Sequence, residues 1–188
     1  LGAVPGVEEV GLMSALPRGN TGTPSRSYAV EGYTLPEDAD PPRAVYQAVN
    51  PGYFPAMEIE LLEGRLFQEV DREDGPPVVV VSQAFVVREF PDGEALGERI
   101  RVGDEEEYRS IVGVVENTAQ QRIALAGQSG QAFFVPAAQA PSRSMSFALR
   151  VPGEPTDAIA DVRAAVWSVN PDQPLARIQT LDAFVAES

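Results

Sequence analysis

Histidine, cysteine and lysine are all absent from this chain, and its fourteen basic residues are all arginine. Without histidine or cysteine there is no imidazole base, no thiolate nucleophile and almost no means of holding zinc. Without lysine there is no Schiff-base chemistry and no P-loop lysine to bind phosphate. Only a pair of Asp or Glu side chains could carry acid–base catalysis, and no carboxylate stands out from the many solvated ones. We therefore predict that the chain is not an enzyme, and we assign no catalytic residue.

Long apolar runs are also missing. The longest uncharged stretch, Ile123 to Ser142, is interrupted by Gly, Gln and Pro, so it could not span a bilayer. The net charge of −14 over 188 residues repels phosphates, which excludes nucleic acid as a partner. Because there is no cysteine, there is no disulfide pattern from which to infer the compartment.

Two local patterns resemble sites without having the required spacing. Glu69, Asp71, Glu73 and Asp74 form an acidic cluster, but their spacing is not that of a calcium-binding loop, so we predict a solvated loop. Residues 127–130, Gly-Gln-Ser-Gly, lack the second glycine of a serine-hydrolase elbow. We predict no metal site, no cofactor and no ligand-binding residue.

What the chain does have is a well-ordered series of structural signals between residues 49 and 100. Asn-Pro-Gly at 50–52 predicts a turn, followed by a short helix around Tyr53 and Phe54 and a tight turn at Gly64. The four valines at 78–81 predict a strand covered on both faces. Ser82 is a good N-cap for a helix over 83–90, and Pro-Asp-Gly at 91–93 stops it.

Other strands and one longer helix are predicted on either side of this stretch. The helix begins near Pro155 and has an apolar stripe of Ile159, Val162, Val166 and Val169. With the strands before and after it, this helix predicts a parallel βαβ unit. The predicted strands cover 7–16, the region of Tyr28 to Tyr33, 43–49, the hairpin 99–102 and 108–116, 132–135, 144–151 and 175–179.

The order of these pieces resembles the extracytoplasmic core domain of MacB-like ABC transporter permeases, in the FtsX-like superfamily. The matching pieces are Pro-Gly-Tyr-Phe at 51–54, Leu-Leu-x-Gly-Arg-x-Phe at 61–67, the valine strand with its helix, Phe-Pro at 90–91 and Leu-Gly-x-Arg-Ile at 96–100. Residues 135–139 are similar to the family's Val-Pro-Tyr-x-Gln turn, with alanine in place of the aromatic residue. The resemblance covers nearly the whole chain.

The resemblance implies an α+β fold with two lobes. Residues 1–51 and 140–188 would form a porter-like lobe that contains the βαβ unit, and residues 52–139 would form an inserted mixed α/β lobe. It also implies transmembrane helices before Leu1 and after Ser188. This domain would then lie at the periplasmic face of the inner membrane, as part of an integral membrane protein. A separate cytoplasmic ATPase subunit would move those helices, and this domain would transmit the motion to a substrate or to a partner protein in the periplasm.

One alternative comes from a different class of function. The acidic balance and the side chains of Tyr28, Tyr33, Tyr46 and Trp167 are what a soluble extracytoplasmic module would need to bind a small cationic ligand. In that case these aromatic side chains would have faces free for the cation.

Overall fold

The computed structural model describes residues 6–15, 24–117, 130–142, 144–172, 174–175 and 178–186. Within them the chain forms four α-helices and one nine-stranded sheet, so the fold is mixed α and β. The strands are β1 (Glu9–Met13), β2 (Ser25–Val30), β3 (Arg43–Val49), β4 (Leu61–Gly64), β5 (Val78–Ser82), β6 (Arg99–Val102), β7 (Arg109–Val115), β8 (Ala132–Pro136) and β9 (Ser146–Arg150). The helices are α1 (Tyr53–Ala56), α2 (Gln83–Glu89), α3 (Ile159–Val169) and α4 (Leu181–Ala186), and a 3-10 turn, Pro155–Ala158, leads into α3. None of the helices in this part of the chain has the length and apolar character needed to cross a bilayer.

Six of the strands close into a ring in the order β2-β6-β7-β5-β8-β3. The ring closes because β2 divides its length between two partners: its first half pairs with β3 and its second half with β6. Strand β5 lies parallel to β7, and β3 lies parallel to β8. Outside the ring, β4 pairs with β7, and β1 joins β3 to β9. We call the antiparallel pair β1 and β9 the ribbon, and the six closed strands the ring.

The ring has a core cluster on each face because its central strands, β5 and β8, are buried along their whole length. On one face, α2 packs Phe85 against Tyr28 and Phe133. On the other face, α1 packs Phe54 against Phe67 and Phe134. Strands β5 and β8 are buried at every position, which confirms that the valine strand is covered on both sides.

Several local predictions are confirmed by these bounds. The strand at 43–49, the Ser82 N-cap and the helix after it are where the sequence predicts them, with the helix ending at Glu89. The hairpin of β6 and β7 is antiparallel, as expected. The predicted strand over 7–16 is real but shorter, because only Glu9–Met13 pairs with neighbours.

Other local predictions are corrected. The predicted tight turn around Gly64 is instead the end of β4, which pairs with β7. In the predicted returning strand over 175–179, the described residues Leu175, Ile178 and Gln179 are not in a strand, and residues 176 and 177 lie outside the described part. The apolar stripe of α3 is only partly covered, since Val169 is 87% exposed.

The two-lobe division remains a prediction. Strands from the predicted porter-like segments pair with strands from the predicted insert, β3 with β8 and β2 with β6. The hydrogen-bonded sheet is therefore continuous across the boundaries predicted at 51/52 and 139/140.

The buried hydroxyl of Ser82 gives the first testable prediction. It accepts from the N–H groups of Ala132 (3.0 Å) and Phe85 (3.4 Å) and donates to the Gly130 carbonyl (3.4 Å). Ser82→Ala should lower the free energy of unfolding in urea by about 1–3 kcal/mol, because it leaves buried backbone groups without partners.

Thr180→Ala is the matched control. It removes a single helix-start hydrogen bond, to the Ala183 N–H at 3.3 Å, in an exposed turn, and should cost less than about 1 kcal/mol. Equal losses in the two variants would contradict the role given to Ser82.

Candidate functional site

The connection between the ribbon and the ring is made by Asn50, which follows β3 and faces β1. The Leu12 N–H donates to Asn50 Oδ1 (2.7 Å), and Asn50 Nδ2 donates to the Val10 carbonyl (3.1 Å). The Asn50 backbone N–H also donates to the Leu12 carbonyl (3.1 Å). A primary amide offers the same donor and acceptor types as a peptide group, so this side chain extends the β3 ladder by one more rung.

Ser14 strengthens the same connection from the β1 side. The Ser14 N–H donates to the Ala48 carbonyl (2.9 Å), and the Ala48 N–H donates to Ser14 Oγ (3.0 Å). Backbone register between β1 and β3 is otherwise limited to Met13 opposite Val49. We call Val10, Leu12, Ser14, Ala48 and Asn50 the Asn50 junction. It holds the ribbon to the ring largely through two polar side chains.

Two glycines let the backbones approach closely enough for this junction to form. A Cβ on Gly52 would lie 2.2 Å from the Val10 carbonyl oxygen, and a Cβ on Gly11 would lie 3.0 Å from the Tyr53 Cα. The Pro-Gly-Tyr-Phe turn is therefore a backbone contact, and Tyr53 and Phe54 are buried under it. Both aromatic side chains belong to the core cluster that contains Phe67 and Phe134.

A second close approach joins β4 to β7. Gly64 and Gly113 are register partners, and a Cβ on Gly64 would lie 2.3 Å from the Val112 carbonyl oxygen. A Cβ on Gly113 would lie 2.2 Å from the Arg65 carbonyl oxygen. Gly113 thus permits a close approach, and it also lies at a bulge, since the pairing of β5 with β7 shifts register there.

The residue after Gly64 forms a forked ion pair with an acid of the cluster at 69–74. Arg65 Nη1 and Nη2 donate to the two carboxylate oxygens of Asp71 at 2.7 and 2.9 Å, and the Gln68 N–H donates to the same carboxylate at 2.8 Å. Burial alone would raise the pKa of Asp71, but these hydrogen bonds outweigh it and hold the pKa below its ordinary value. The buried Asp71 carboxylate thus fixes its loop to Arg65 and to the backbone at Gln68. Its role differs from that of the solvated acids around it.

A third polar cluster joins the hairpin, the loop before β5 and the turn after β8. Arg109 is buried; it donates to both oxygens of Glu105 (2.7 and 3.1 Å) and to Gln139 Oε1 (2.9 Å). Gln139 Nε2 donates to the carbonyls of Arg72 (3.3 Å) and Pro76 (3.0 Å). Gln139 closes the predicted Val-Pro-x-x-Gln turn, so the turn keeps its anchor without the aromatic residue.

The aromatic side chains considered for a cation site have other neighbours. Tyr28 is buried, and its hydroxyl donates to Glu89 Oε1 at 2.6 Å; burial, reinforced by this bond, raises the pKa of Tyr28. The ring of Tyr46 is covered by the guanidinium of Arg26 at 4.1 Å. Arg163 lies 5.7 Å from the ring of Trp167. Tyr33 is 65% exposed and Trp167 is 44% exposed.

Within the described ranges, no three acidic side chains come together in a way that could hold a metal ion. The Gly-Gln-Ser segment at 127–129 lies outside the described part. Gly52, Gly64 and Gln139, which belong to sequence patterns described above, all lie where separate backbone segments meet. The long-range partners Gln139 and Ser14 could not be found from spacing, because each lies 30 or more residues from the group it bonds.

The mixed α/β fold is shared with extracytoplasmic domains of transporters. The crystal structure of the periplasmic region of MacB from Actinobacillus actinomycetemcomitans matches with a TM-score of 0.61 at 16% identity, over 89% of this chain and 70% of that one. The extracellular domain of the noncanonic ABC-type transporter YknZ from Gram-positive bacteria matches with a TM-score of 0.58 at 15% identity, over 92% and 81%. A domain of a putative permease from Porphyromonas gingivalis matches with 0.54 at 14%, over 98% and 84%.

The sequence itself matches the family described as the MacB-like periplasmic core domain over residues 3–168. The chain therefore belongs to that family: it is the extracytoplasmic domain of a MacB-like ABC transporter permease. Among curated protein sequences, no significant match is found. The family is not a known catalytic domain, in keeping with the absence of histidine, cysteine and lysine.

The Asn50 junction gives the second testable prediction. Asn50→Ala removes one donor and one acceptor and leaves the Leu12 N–H and the Val10 carbonyl unpaired. The free energy of unfolding in urea should fall by about 2–3 kcal/mol. Asn170→Ala, which removes one exposed hydrogen bond to the Asp172 N–H, is the control and should cost less than about 1 kcal/mol. A loss at Asn50 no larger than the control would show that the junction does not hold the ribbon.

The Arg65–Asp71 pair gives a pH prediction. Because the pKa of Asp71 lies below its unfolded value, its stabilisation is present above the ordinary pKa and is lost as pH falls through the folded pKa. Asp71→Asn should lower stability by about 2–3 kcal/mol at neutral pH, and the variant should lose less further stability on acidification than the wild type. Urea unfolding across the acid range measures both effects.

Asp74→Asn, an exposed acid of the same loop, is the control and should leave the acid dependence unchanged. If Asp71→Asn and Asp74→Asn gave the same pH profile, the buried ion pair would not be the cause.

Proposed function

We propose that this domain is a non-catalytic mechanical element of the permease. ATPase-driven motion of the membrane helices would enter it and be passed to a substrate or a partner protein outside the inner membrane. Family membership supports the permease context, and the junctions of the fold support a mechanical role, because they tie separate backbone segments together without forming a reactive site.

The geometry of the ribbon is the observation that carries this proposal. Glu9, where β1 begins, is the register partner of Arg150, where β9 ends. The Glu8 N–H donates to the Arg150 carbonyl (2.9 Å), and Arg150 Nη2 forms an ion pair with Glu58 Oε1 (2.7 Å). The chain therefore enters and leaves the ribbon side by side, so motion of the two flanks would act on one pair of strands.

From the ribbon, the route into the ring passes through the Asn50 junction to β3. Strand β3 is paired with β8 over Val45 to Val49, and β8 pairs with β5 in the centre of the ring. Paired strands in a close-packed core transmit displacement because a close-packed protein interior has low compressibility. Under this proposal the ribbon and the ring move as one body, and the predicted two-lobe boundary is not the hinge.

The cation-binding alternative has no observation in its favour. Of the four aromatic side chains, Tyr33 lies exposed in the loop after β2, the ring of Trp167 has Arg163 at 5.7 Å, and the face of Tyr46 is covered by the protein's own Arg26. We therefore do not carry that function further.

The proposal is tested in the complete transporter, with its ATPase, reconstituted in a bilayer. Since this chain has no cysteine, Val87→Cys on the exposed side of α2 accepts a single dye within the domain, once cysteines elsewhere are replaced. Energy transfer to acceptor lipids then reports the height of the ring above the membrane. We expect the height to change between the nucleotide-free and ATP-bound states.

A second measurement tests whether the ribbon and the ring move together. The distance between spin labels at Val87, on α2, and Phe147, on β9, should be the same in both states.

Asn50→Ala separates coupling from catalysis. ATP hydrolysis should continue, while the nucleotide-dependent change in height becomes smaller. The distribution of distances between the labels at Val87 and Phe147 should become broader. Asn170→Ala should behave as the wild type. A ring that stays at the same height in both nucleotide states would overturn the mechanical proposal.

A further inference from the structure

A cleft of about 430 Å³ lies beside the ring, where the end of β1, the start of β2, the hairpin and the turn after β8 meet. Its polar lining includes the side chains of Ser14, Ser25, Arg26, Tyr46, Glu105 and Gln139. The volume falls at the lower end of the range for small-molecule sites. Ser14 also belongs to the Asn50 junction, but the mechanical proposal gives the cleft itself no role.

The acceptors and donors of the cleft are unequally committed. Both carboxylate oxygens of Glu105 accept from Arg109, which also neutralises its charge. Gln139 Oε1 accepts from Arg109 and from the Val78 N–H, and Gln139 Nε2 donates to two backbone carbonyls. The hydrogen-bonding groups of these two side chains are occupied by partners within the protein, so few remain to bind a ligand.

The remaining groups are donors. Ser14 Oγ and Ser25 Oγ accept hydrogen bonds, from the Ala48 N–H and from Arg43 Nε, and each keeps its own proton to donate. Tyr46 is nearly buried, and within the described residues its hydroxyl has no hydrogen-bond partner. Arg26 stacks on the Tyr46 ring at 4.1 Å and has no ion-pair partner in that same part of the chain.

We propose that this cleft binds the carboxylate group of a small ligand. Arg26 would pair with the carboxylate through its planar donor fork, and the hydroxyls of Tyr46, Ser14 and Ser25 would donate to the remaining lone pairs. A surplus of donors around one guanidinium matches an acceptor-only group, which an ionised carboxylate is. The net charge of −14 disfavours a doubly charged phosphate more than a singly charged carboxylate.

Two sources of that group fit the cleft, a free small acid or the C-terminal carboxylate of a peptide. The isolated 188-residue domain, labelled with nitrogen-15, is titrated at constant ionic strength with acetate, N-acetylglycine and triglycine, and with triglycine amide as the carboxylate-free match. Inorganic phosphate is the other anion tested. We expect the amide signals of Ser25, Arg26 and Tyr46 to shift with the carboxylates and not with the amide. Tighter binding of triglycine than acetate assigns a peptide end, and the reverse order assigns a small acid.

The variants identify the groups that bind. Arg26→Gln should weaken binding about tenfold or more, because it removes a charge-assisted pair, and Tyr46→Phe should weaken it severalfold while keeping the ring. Arg101→Gln is the matched control: it removes one charge and one arginine–tyrosine contact, to Tyr108 at 5.6 Å, away from the cleft. It should bind as the wild type. Unperturbed spectra far from the cleft verify that each variant is folded.

Three results would overturn the inference. They are no shift at the cleft with any carboxylate, an equal response in Arg26→Gln and Arg101→Gln, or phosphate binding more tightly than the carboxylates. Because the titration uses the isolated domain, these results are independent of the height measurement on the whole transporter, and failure of one proposal leaves the other standing.

Discussion

The arrangement of this domain depends on one side chain that acts as backbone. Strand β1 is paired along its length with β9, but it reaches the ring in register only at Met13. Asn50 makes up the difference by accepting from the Leu12 N–H and donating to the Val10 carbonyl. Gly52 permits this because any side chain there would occupy the space of the Val10 carbonyl oxygen. The turn that follows β3 therefore connects the ribbon to the ring.

The same reasoning applies to other contacts between backbone segments of this domain. Gly64 and Gly113 bring β4 and β7 together, Arg65 ties the following loop through Asp71, and Gln139 ties three segments to the end of β8. Each is a place where backbones approach or where a buried polar group must be satisfied. Under the proposed mechanical role, the chemical requirements of the domain fall on such contacts and not on a reactive group.

Much of the local structure could be predicted, because short-range signals act there. The apolar runs of β5 and β8, the Ser82 cap and the β6–β7 hairpin all follow from neighbouring residues. The pairing of distant strands could not be predicted, since one sequence gives no register between β3 and β8. The residues around Gly64 predict a turn, because the partner that makes it the end of a strand, Gly113, lies far along the chain. Spacing groups Asp71 with its solvated neighbours, because it does not distinguish a buried acid from an exposed one.

The central claim is that the Asn50 junction supplies most of the polar connection between the ribbon and the ring, beyond the single register pair of Met13 with Val49. Amide hydrogen exchange of the Asn50→Ala domain, residue by residue, tests it most directly. The account predicts faster exchange along β1 and β9 with protection retained in β5, β7 and β8. Uniform loss of protection over all the strands, or none in β1 and β9, would contradict it.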